Sequence, residues 1–152
     1  LLNRAGFATV VVTNQAAIGR GVIDEAFLGQ VHATLDGRLA SGNARIDGYY
    51  YCPHHPSAER LEYRKVCRCR KPGPGLIEQA CEEMDLDLTG SYMVGDRWID
   101  VRAGRAAGVG ALLVRTGHGG HEADSPPDDV RADAILNNLM EAVGWILRSS
   151  SR

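Results

Sequence analysis

Several short apolar runs in the sequence stop abruptly at polar residues or glycine, and helix-forming segments separate them. Residues 7–12 (FATVVV) end at a Thr-Asn-Gln sequence, and residues 91–94 (SYMV) end at Gly-Asp. Continuous runs of this kind are typical of buried parallel strands. Because strands that alternate with helices form a parallel sheet covered on both faces, we predict an α/β fold with a doubly wound, Rossmann-like sheet.

The remaining elements follow from the same patterns. Strands are predicted at residues 7–12, 46–51, 91–94, 109–114 and 132–136, and helices at residues 25–40, 75–84, 99–107 and 139–147. Asp24 can cap the first helix. The helix has an apolar face of the kind that packs against a core, formed by Phe27, Leu28, Val31, Leu35 and Leu39. We predict a Gly- and Pro-rich connection at residues 117–129, a single domain over residues 1–147 and a frayed tail at residues 148–152.

Charge and hydropathy limit the classes of partner. The net charge of −2 gives no reason to expect nucleic acid, and no apolar run approaches the ~20 residues that a membrane-spanning helix needs. No export signal is recognisable, so we expect a cytoplasmic location. We also expect a monomer that binds neither nucleic acid nor membrane. In that compartment, clustered cysteines are more plausible as metal ligands than as disulfides.

Three of the four cysteines lie in one loop, residues 52–72, with the sequence CPHHPSAERLEYRKVCRCRKP. Cys52-x-His54 and Cys67-x-Cys69 form two close pairs separated by twelve residues. Three thiolates and one imidazole are a closed tetrahedral set that suits structural Zn²⁺, and the metal would supply the ordering energy of the loop. We call residues 52–72 the zinc loop. The alternative is a loop of incidental free cysteines.

The other histidines and the fourth cysteine receive no functional role. His55 is the second choice for the imidazole ligand, and Cys81 lies on the apolar face of a helix as a core residue. His118 and His121 are expected to be solvated in a Gly-rich loop, and His32 has no evident partner.

Arg70 and Lys71 follow the ligand Cys69 directly, so a bound metal would fix the direction of both cations. The planar guanidinium of an arginine next to the compact ammonium group of a lysine suits the binding of phosphate. An exposed basic pair is the alternative.

Asp96 follows a predicted strand and precedes a helix, the usual place of a Mg²⁺ ligand in phosphoryl-transfer sites; alternatively it is only a helix N-cap. Asp100 either faces the same site or caps the helix. Thr13, at the end of a neighbouring strand, offers a hydroxyl and a backbone N–H that can hold a phosphate oxygen.

These motifs resemble those of the haloacid dehalogenase superfamily of phosphatases, and the inserted zinc loop resembles that of its heptose 1,7-bisphosphate 7-phosphatase family. The resemblance implies hydrolysis through an aspartyl-phosphate intermediate, with Mg²⁺ as catalytic and Zn²⁺ as structural ion, in the synthesis of cell-envelope sugars. It implies that Thr13 and Lys71 stabilise the transferring phosphoryl group and that Asp96 binds Mg²⁺ with support from Asp100. The substrate contacts it implies are Asn14, Gln15, Ala16, Arg70 and Arg97.

The sequence departs from the family at its start. The family nucleophile is the first Asp of a DxDGT motif on the first, central strand, and no such motif occurs here. Residues 1–6 read like the last turn of a helix before a glycine stop, so we expect that this first strand is missing and that the chain alone is inactive. The alternatives are a histidinol-phosphate phosphatase, a non-catalytic phosphosugar-binding remnant stabilised by zinc, and a redox or metal-sensing module built on Cys67-x-Cys69.

Overall fold

Parallel strand pairing is the framework of both parts of the chain. The computed structural model describes residues 1–150, and the chain divides into two units, Leu1–Arg70 and Lys71–Arg152. The first unit contains a two-stranded parallel sheet and the second a three-stranded parallel sheet. The prediction of parallel strands that alternate with helices is confirmed.

The first unit pairs β1 (Val10–Asn14) with β2 (Gly48–Cys52), in the register Val10↔Gly48 to Asn14↔Cys52. Between the strands lie α1 (Ala16–Gly19) and α2 (Glu25–Ala40), and short 3₁₀ turns occur at Asn3–Ala5 and Leu61–Tyr63. The carboxylate of Asp24 accepts the backbone N–H of Phe27 at 2.7 Å, so the predicted cap of α2 is present.

The predicted apolar face of α2 is mostly exposed. Leu28 is buried, but Phe27, Val31 and Leu35 are 50%, 47% and 37% exposed. The helix instead contacts β2 through a stacked pair of rings, His32 and Tyr49, whose centroids lie 4.0 Å apart. The expectation that His32 has no partner is therefore wrong. Helical spacing shows which side chains share a face, but it does not show which face another element covers.

The second unit runs α3 (Gly75–Met84), β3 (Tyr92–Gly95), α4 (Trp98–Ala107), β4 (Gly110–Val114), α5 (Gly119–Asp124), β5 (Ala134–Leu136) and α6 (Leu139–Ser149). The strand order is β3-β4-β5. Its core contains Trp98 and Val101 from α4 and Ala111 and Leu113 from β4. Among residues 1–150, no helix is both long enough and apolar enough to cross a membrane.

Several predicted boundaries are corrected. β1 and β2 begin and end later than predicted, so Thr13 and Cys52 are strand residues and do not follow the strands. β1 and β3, which were predicted to be buried, are mostly half-buried, whereas β4 is almost wholly buried. The predicted connection at 117–129 contains α5. Of the predicted frayed tail, residues 148 and 149 belong to α6, and residues 151–152 lie outside the described residues.

Candidate functional site

The structure brings the four predicted zinc ligands of the first unit together. The Sγ atom of Cys52 lies 3.3 Å from that of Cys67 and 3.1 Å from that of Cys69. Nδ1 of His54 lies 3.7, 3.2 and 3.3 Å from the sulfur atoms of Cys52, Cys67 and Cys69. All four ligand atoms fall within 4.8 Å of one another, and a metal ion fits among them.

The donor set and its dimensions fit zinc. A tetrahedral Zn²⁺ with ordinary Zn–S and Zn–N bonds places its ligand atoms roughly 3.5–3.8 Å apart, so the shortest sulfur–sulfur distance would need to widen by about 0.7 Å and the other distances by less. Four protein ligands leave no open coordination position. The cluster therefore suits a structural ion and not a catalytic one.

The pKa shifts in the cluster have a direct physical cause. Burial raises the pKa of the Cys52 and Cys69 thiols, because an isolated thiolate loses its hydration there. Burial opposes ionisation of Cys67 too, but hydrogen bonds from the other two thiols outweigh it and lower its pKa. Burial and the charge of Lys65 lower the pKa of His54, so its imidazole is neutral. A divalent cation would supply the positive charge that stabilises these buried thiolates.

Local contacts explain how the zinc loop reaches this geometry. Cys52 ends β2, and its carbonyl accepts the backbone N–H of Gln15 at 2.8 Å. Gly19 of α1 allows the loop to approach closely, since a Cβ there would lie 2.8 Å from the carbonyl oxygen of Pro53. The Nδ1 atom of His55 is bonded to the backbone N–H and hydroxyl of Ser57. His55 is therefore outside the cluster, in agreement with its place as the second choice for the imidazole ligand.

The residues of the first unit that were predicted to bind phosphate or substrate lie on β1, at the start of α1 and next to the Cys/His cluster. The side-chain amide of Gln15 donates to Oγ1 of Thr13 at 3.2 Å. Asn14 pairs with Cys52 in the β1–β2 register, and Ala16 begins α1. Nη1 of Arg70 donates to the backbone carbonyl of His54 at 3.2 Å. One edge of this guanidinium is thus held by a residue of the metal cluster.

In the second unit, Asp96 directly follows β3. Its Oδ2 atom accepts the backbone N–H of His118 at 2.9 Å and lies 3.1 Å from Nδ1 of the same residue. Burial raises the pKa of Asp96, but the bonds and charge of His118 outweigh burial, and the pKa lies below its usual value. The carboxylate is ionised at neutral pH, which is the form that binds Mg²⁺.

Lys71 and Asp100 form an ion pair, with 2.7 Å between Nζ and Oδ1 and side chains that are only 12% and 6% exposed. The other oxygen of Asp100 accepts the backbone N–H of Arg97 at 3.1 Å and caps α4. Gly95 has no room for a Cβ, which would overlap the Asp100 side chain. The capping role expected for Asp100 is therefore observed, and its other oxygen pairs with Lys71.

Glu122 of α5 binds the start of α4 at three points. Its carboxylate accepts the backbone N–H of Trp98 at 2.9 Å and lies 3.5 Å from Nε of Arg97. Its backbone carbonyl accepts the indole N–H of Trp98 at 2.6 Å. Arg97 is half-exposed, so its guanidinium can contact a bound molecule while Nε stays close to the Glu122 carboxylate.

His118 and Glu122 were missed by the sequence analysis. His118 was expected to be solvated, and its ring is largely exposed, but it contacts Asp96. Its position soon after β4 was the one feature of the sequence that could have indicated this contact. Because β4 pairs with β3, the residues that follow the two strands lie at the same edge of the sheet. His121 is exposed as predicted, and Cys81 is half-buried on α3.

Comparisons with known proteins agree with this architecture. Residues 68–142 match the family described as HAD-hydrolase-like. A similar solved structure is that of D,D-heptose 1,7-bisphosphate phosphatase from B. bronchiseptica, in complex with magnesium and phosphate. The superposition has a TM-score of 0.83 and 30% sequence identity, and it includes 97% of this chain and 78% of the B. bronchiseptica chain. The fold and this likeness define the class as a haloacid dehalogenase-like phosphatase.

Curated relatives give the family. D-glycero-β-D-manno-heptose-1,7-bisphosphate 7-phosphatase of Escherichia coli K12 is 44% identical over 141 residues, which are 92% of this chain and 72% of the relative. The protein of the same name from Haemophilus ducreyi is 38% identical over 147 residues, 95% of this chain and 78% of the relative. The chain therefore belongs to the D-glycero-β-D-manno-heptose-1,7-bisphosphate 7-phosphatase family.

Proposed function

We propose that this chain is the greater part of an enzyme that removes the 7-phosphate of D-glycero-D-manno-heptose 1,7-bisphosphate. The observation that carries the proposal is the attachment of Arg70 to the carbonyl of His54 within the four-ligand cluster. The metal cluster holds this cation in place before any substrate arrives. A substrate with two phosphates needs a fixed cation beyond the one at the reacting group. As part of the proposal, the enzyme is monomeric and works in the cytoplasm.

Zn²⁺ is the structural ion in this proposal, held by Cys52, His54, Cys67 and Cys69. Thr13 holds a phosphate oxygen with its hydroxyl, which Gln15 orients by a hydrogen bond. Arg70 presents its remaining N–H groups to an anion of the substrate. Asn14, Gln15, Ala16 and Arg97 complete the substrate contacts.

Asp96 is the Mg²⁺ ligand in the proposal, and its depressed pKa supports this role. Mg²⁺, when bound, neutralises charge on the transferring phosphoryl group. Lys71 adds a compact positive charge for the same group, and its pairing with Asp100 keeps the ammonium in one position. Asp100 thus supports the site through Lys71 and through the cap of α4.

The covalent step needs a nucleophile, and no DxDGT motif occurs in the sequence. In the proposal, the nucleophilic aspartate and the general acid–base aspartate precede Leu1 on a strand that this chain lacks. The aspartyl-phosphate forms there, and the residues described above bind the substrate and stabilise the transferring group.

The test begins with the DNA upstream of the codon for Leu1. An in-frame DxDGT sequence is expected, and the polypeptide that includes it should release phosphate from heptose 1,7-bisphosphate in preference to histidinol phosphate. Preference for histidinol phosphate would replace the proposed substrate. An upstream sequence without the motif, together with retained binding of the heptose bisphosphate, would instead identify a non-catalytic phosphosugar-binding protein.

A further inference from the structure

The turn after β4 is shaped around the carboxylate of Asp96. Gly117 has a φ of +66°, and a Cβ at this position would overlap Oδ2 of Asp96. Gly119 is also required, because its Cβ would overlap the backbone carbonyl of Val114. Gly117 thus allows the chain to approach the carboxylate of Asp96 closely, and Gly119 allows the turn to pack against the end of β4. Between them, His118 directs its backbone N–H and its ring at the same carboxylate.

The two contacts of His118 use one oxygen of Asp96. The backbone N–H lies 2.9 Å and Nδ1 lies 3.1 Å from Oδ2, and neither bond involves Oδ1. Two donors on one oxygen fix the rotation of the carboxyl group, because turning it would break both bonds. The turn is itself held to α4 by the bonds between Glu122 and Trp98. The direction of Oδ1 is therefore set by residues outside the Gly-Asp motif.

We propose that His118 is a positioning residue for Asp96: it holds Oδ2 and leaves Oδ1 directed at a divalent cation. This inference rests on the proposed function, since it requires Asp96 to be the Mg²⁺ ligand. Hydrogen-bonded groups behind a metal ligand orient it, and their loss typically weakens metal binding about 10- to 100-fold. His118 acts in this way although its ring is largely exposed.

The test measures Mn²⁺ binding to the zinc-loaded 152-residue chain by paramagnetic broadening of its amide NMR signals. Weak binding is sufficient, because broadening reports fractional occupancy. The variants are His118→Ala, which removes the ring donor, and His118→Asn, whose side-chain amide can replace it. The matched control is His121→Ala, an exposed histidine of the same segment. Thermal unfolding of each variant shows whether the fold is unchanged.

Mn²⁺ is expected to broaden the signals of residues 95–97 and 117–119. We expect His118→Ala to bind Mn²⁺ about tenfold more weakly, His118→Asn to recover most of the loss and His121→Ala to match the parent, all with similar melting temperatures. Unchanged Mn²⁺ affinity in His118→Ala would overturn the inference while leaving the role of Asp96 intact. Absence of broadening near Asp96 both in this chain and in the polypeptide completed with its upstream segment would instead contradict the proposed metal role of Asp96, and the inference would fail with it.

Discussion

The ammonium group of Lys71 lies 2.7 Å from Oδ1 of Asp100, and the two side chains are only 12% and 6% exposed. A pair this deeply buried contributes little net stability, because both charges lose hydration. Its effect is geometric, since removal of either charge leaves the other buried without this partner. The pair therefore links the position of a proposed phosphate-binding cation to the first turn of α4, which Asp100 caps.

Asp100→Asn tests this link. The amide can still accept the N–H of Arg97, so the main loss is the charge that compensates Lys71, and we expect the free energy of unfolding to fall by about 3 kcal/mol. The double variant Lys71→Met/Asp100→Asn should lose less than the sum of the two single variants, because no isolated charge remains. Urea denaturation of the four proteins provides the measurement. Additive effects would show that the two groups do not interact.

The Cys/His cluster predicts one zinc ion per chain. Elemental analysis of the purified protein should find it, and Cys67→Ala/Cys69→Ala should lose it, because two ligands do not hold structural zinc. Cys81→Ala is the matched control, since Cys81 lies on α3 outside the cluster. Metal binding supplies ~10 kcal/mol or more in small zinc domains, so chelation should disorder the zinc loop. Full zinc retention in the double variant would refute the ligand assignment.

The 152-residue chain is expected to show no phosphatase turnover. Asp96 supplies one carboxylate, and one carboxylate with waters holds Mg²⁺ poorly because the ion dehydrates reluctantly. No DxDGT motif supplies a nucleophile. Phosphate release from heptose 1,7-bisphosphate should equal that of the Asp96→Ala control. A rate above this control would show that the chain carries a nucleophile that we have not identified.

In the polypeptide completed with its upstream segment, Lys71 and Arg70 should have separable effects. Lys71→Ala should lower kcat at least ~100-fold, as loss of one preorganised donor to the reacting group does. Arg70→Ala should mainly raise KM and narrow the difference between bisphosphate and monophosphate substrates. Because Lys71→Ala also leaves Asp100 unpaired, rates are compared per folded protein, measured by circular dichroism. Equal effects of both variants on KM alone would contradict the assignment.

The sequence predicted best where the determining interaction is local. The bounds of α2 and α3 match the predicted helices, because the Asp24 cap and the Pro74-Gly75 start lie next to the elements that they define. The zinc ligands were predicted from spacing, since each pair is separated by a single residue. The ends of β1 were misplaced because pairing with β2 determines them, as in Thr13↔Tyr51.

Long-range contacts account for what was missed. The Gly119-Gly120 start of α5 has low helix propensity. Hydrogen bonds between Glu122 of this helix and Trp98, which is 24 residues away, hold α5 against α4. The contact between His118 and Asp96 spans 22 residues. Neither contact leaves a local pattern, so the sequence predicted a loop there and no functional histidine.

The most direct test of the proposed function is the identity of the phosphate that leaves. The completed polypeptide is incubated with D-glycero-D-manno-heptose 1,7-bisphosphate and Mg²⁺, and the products are followed by ³¹P NMR. We predict that the 7-phosphate signal is replaced by inorganic phosphate while the 1-phosphate signal remains, and that Arg70→Ala slows this change. Loss of the 1-phosphate signal first, or no change in either signal while histidinol phosphate is hydrolysed, would contradict the proposal.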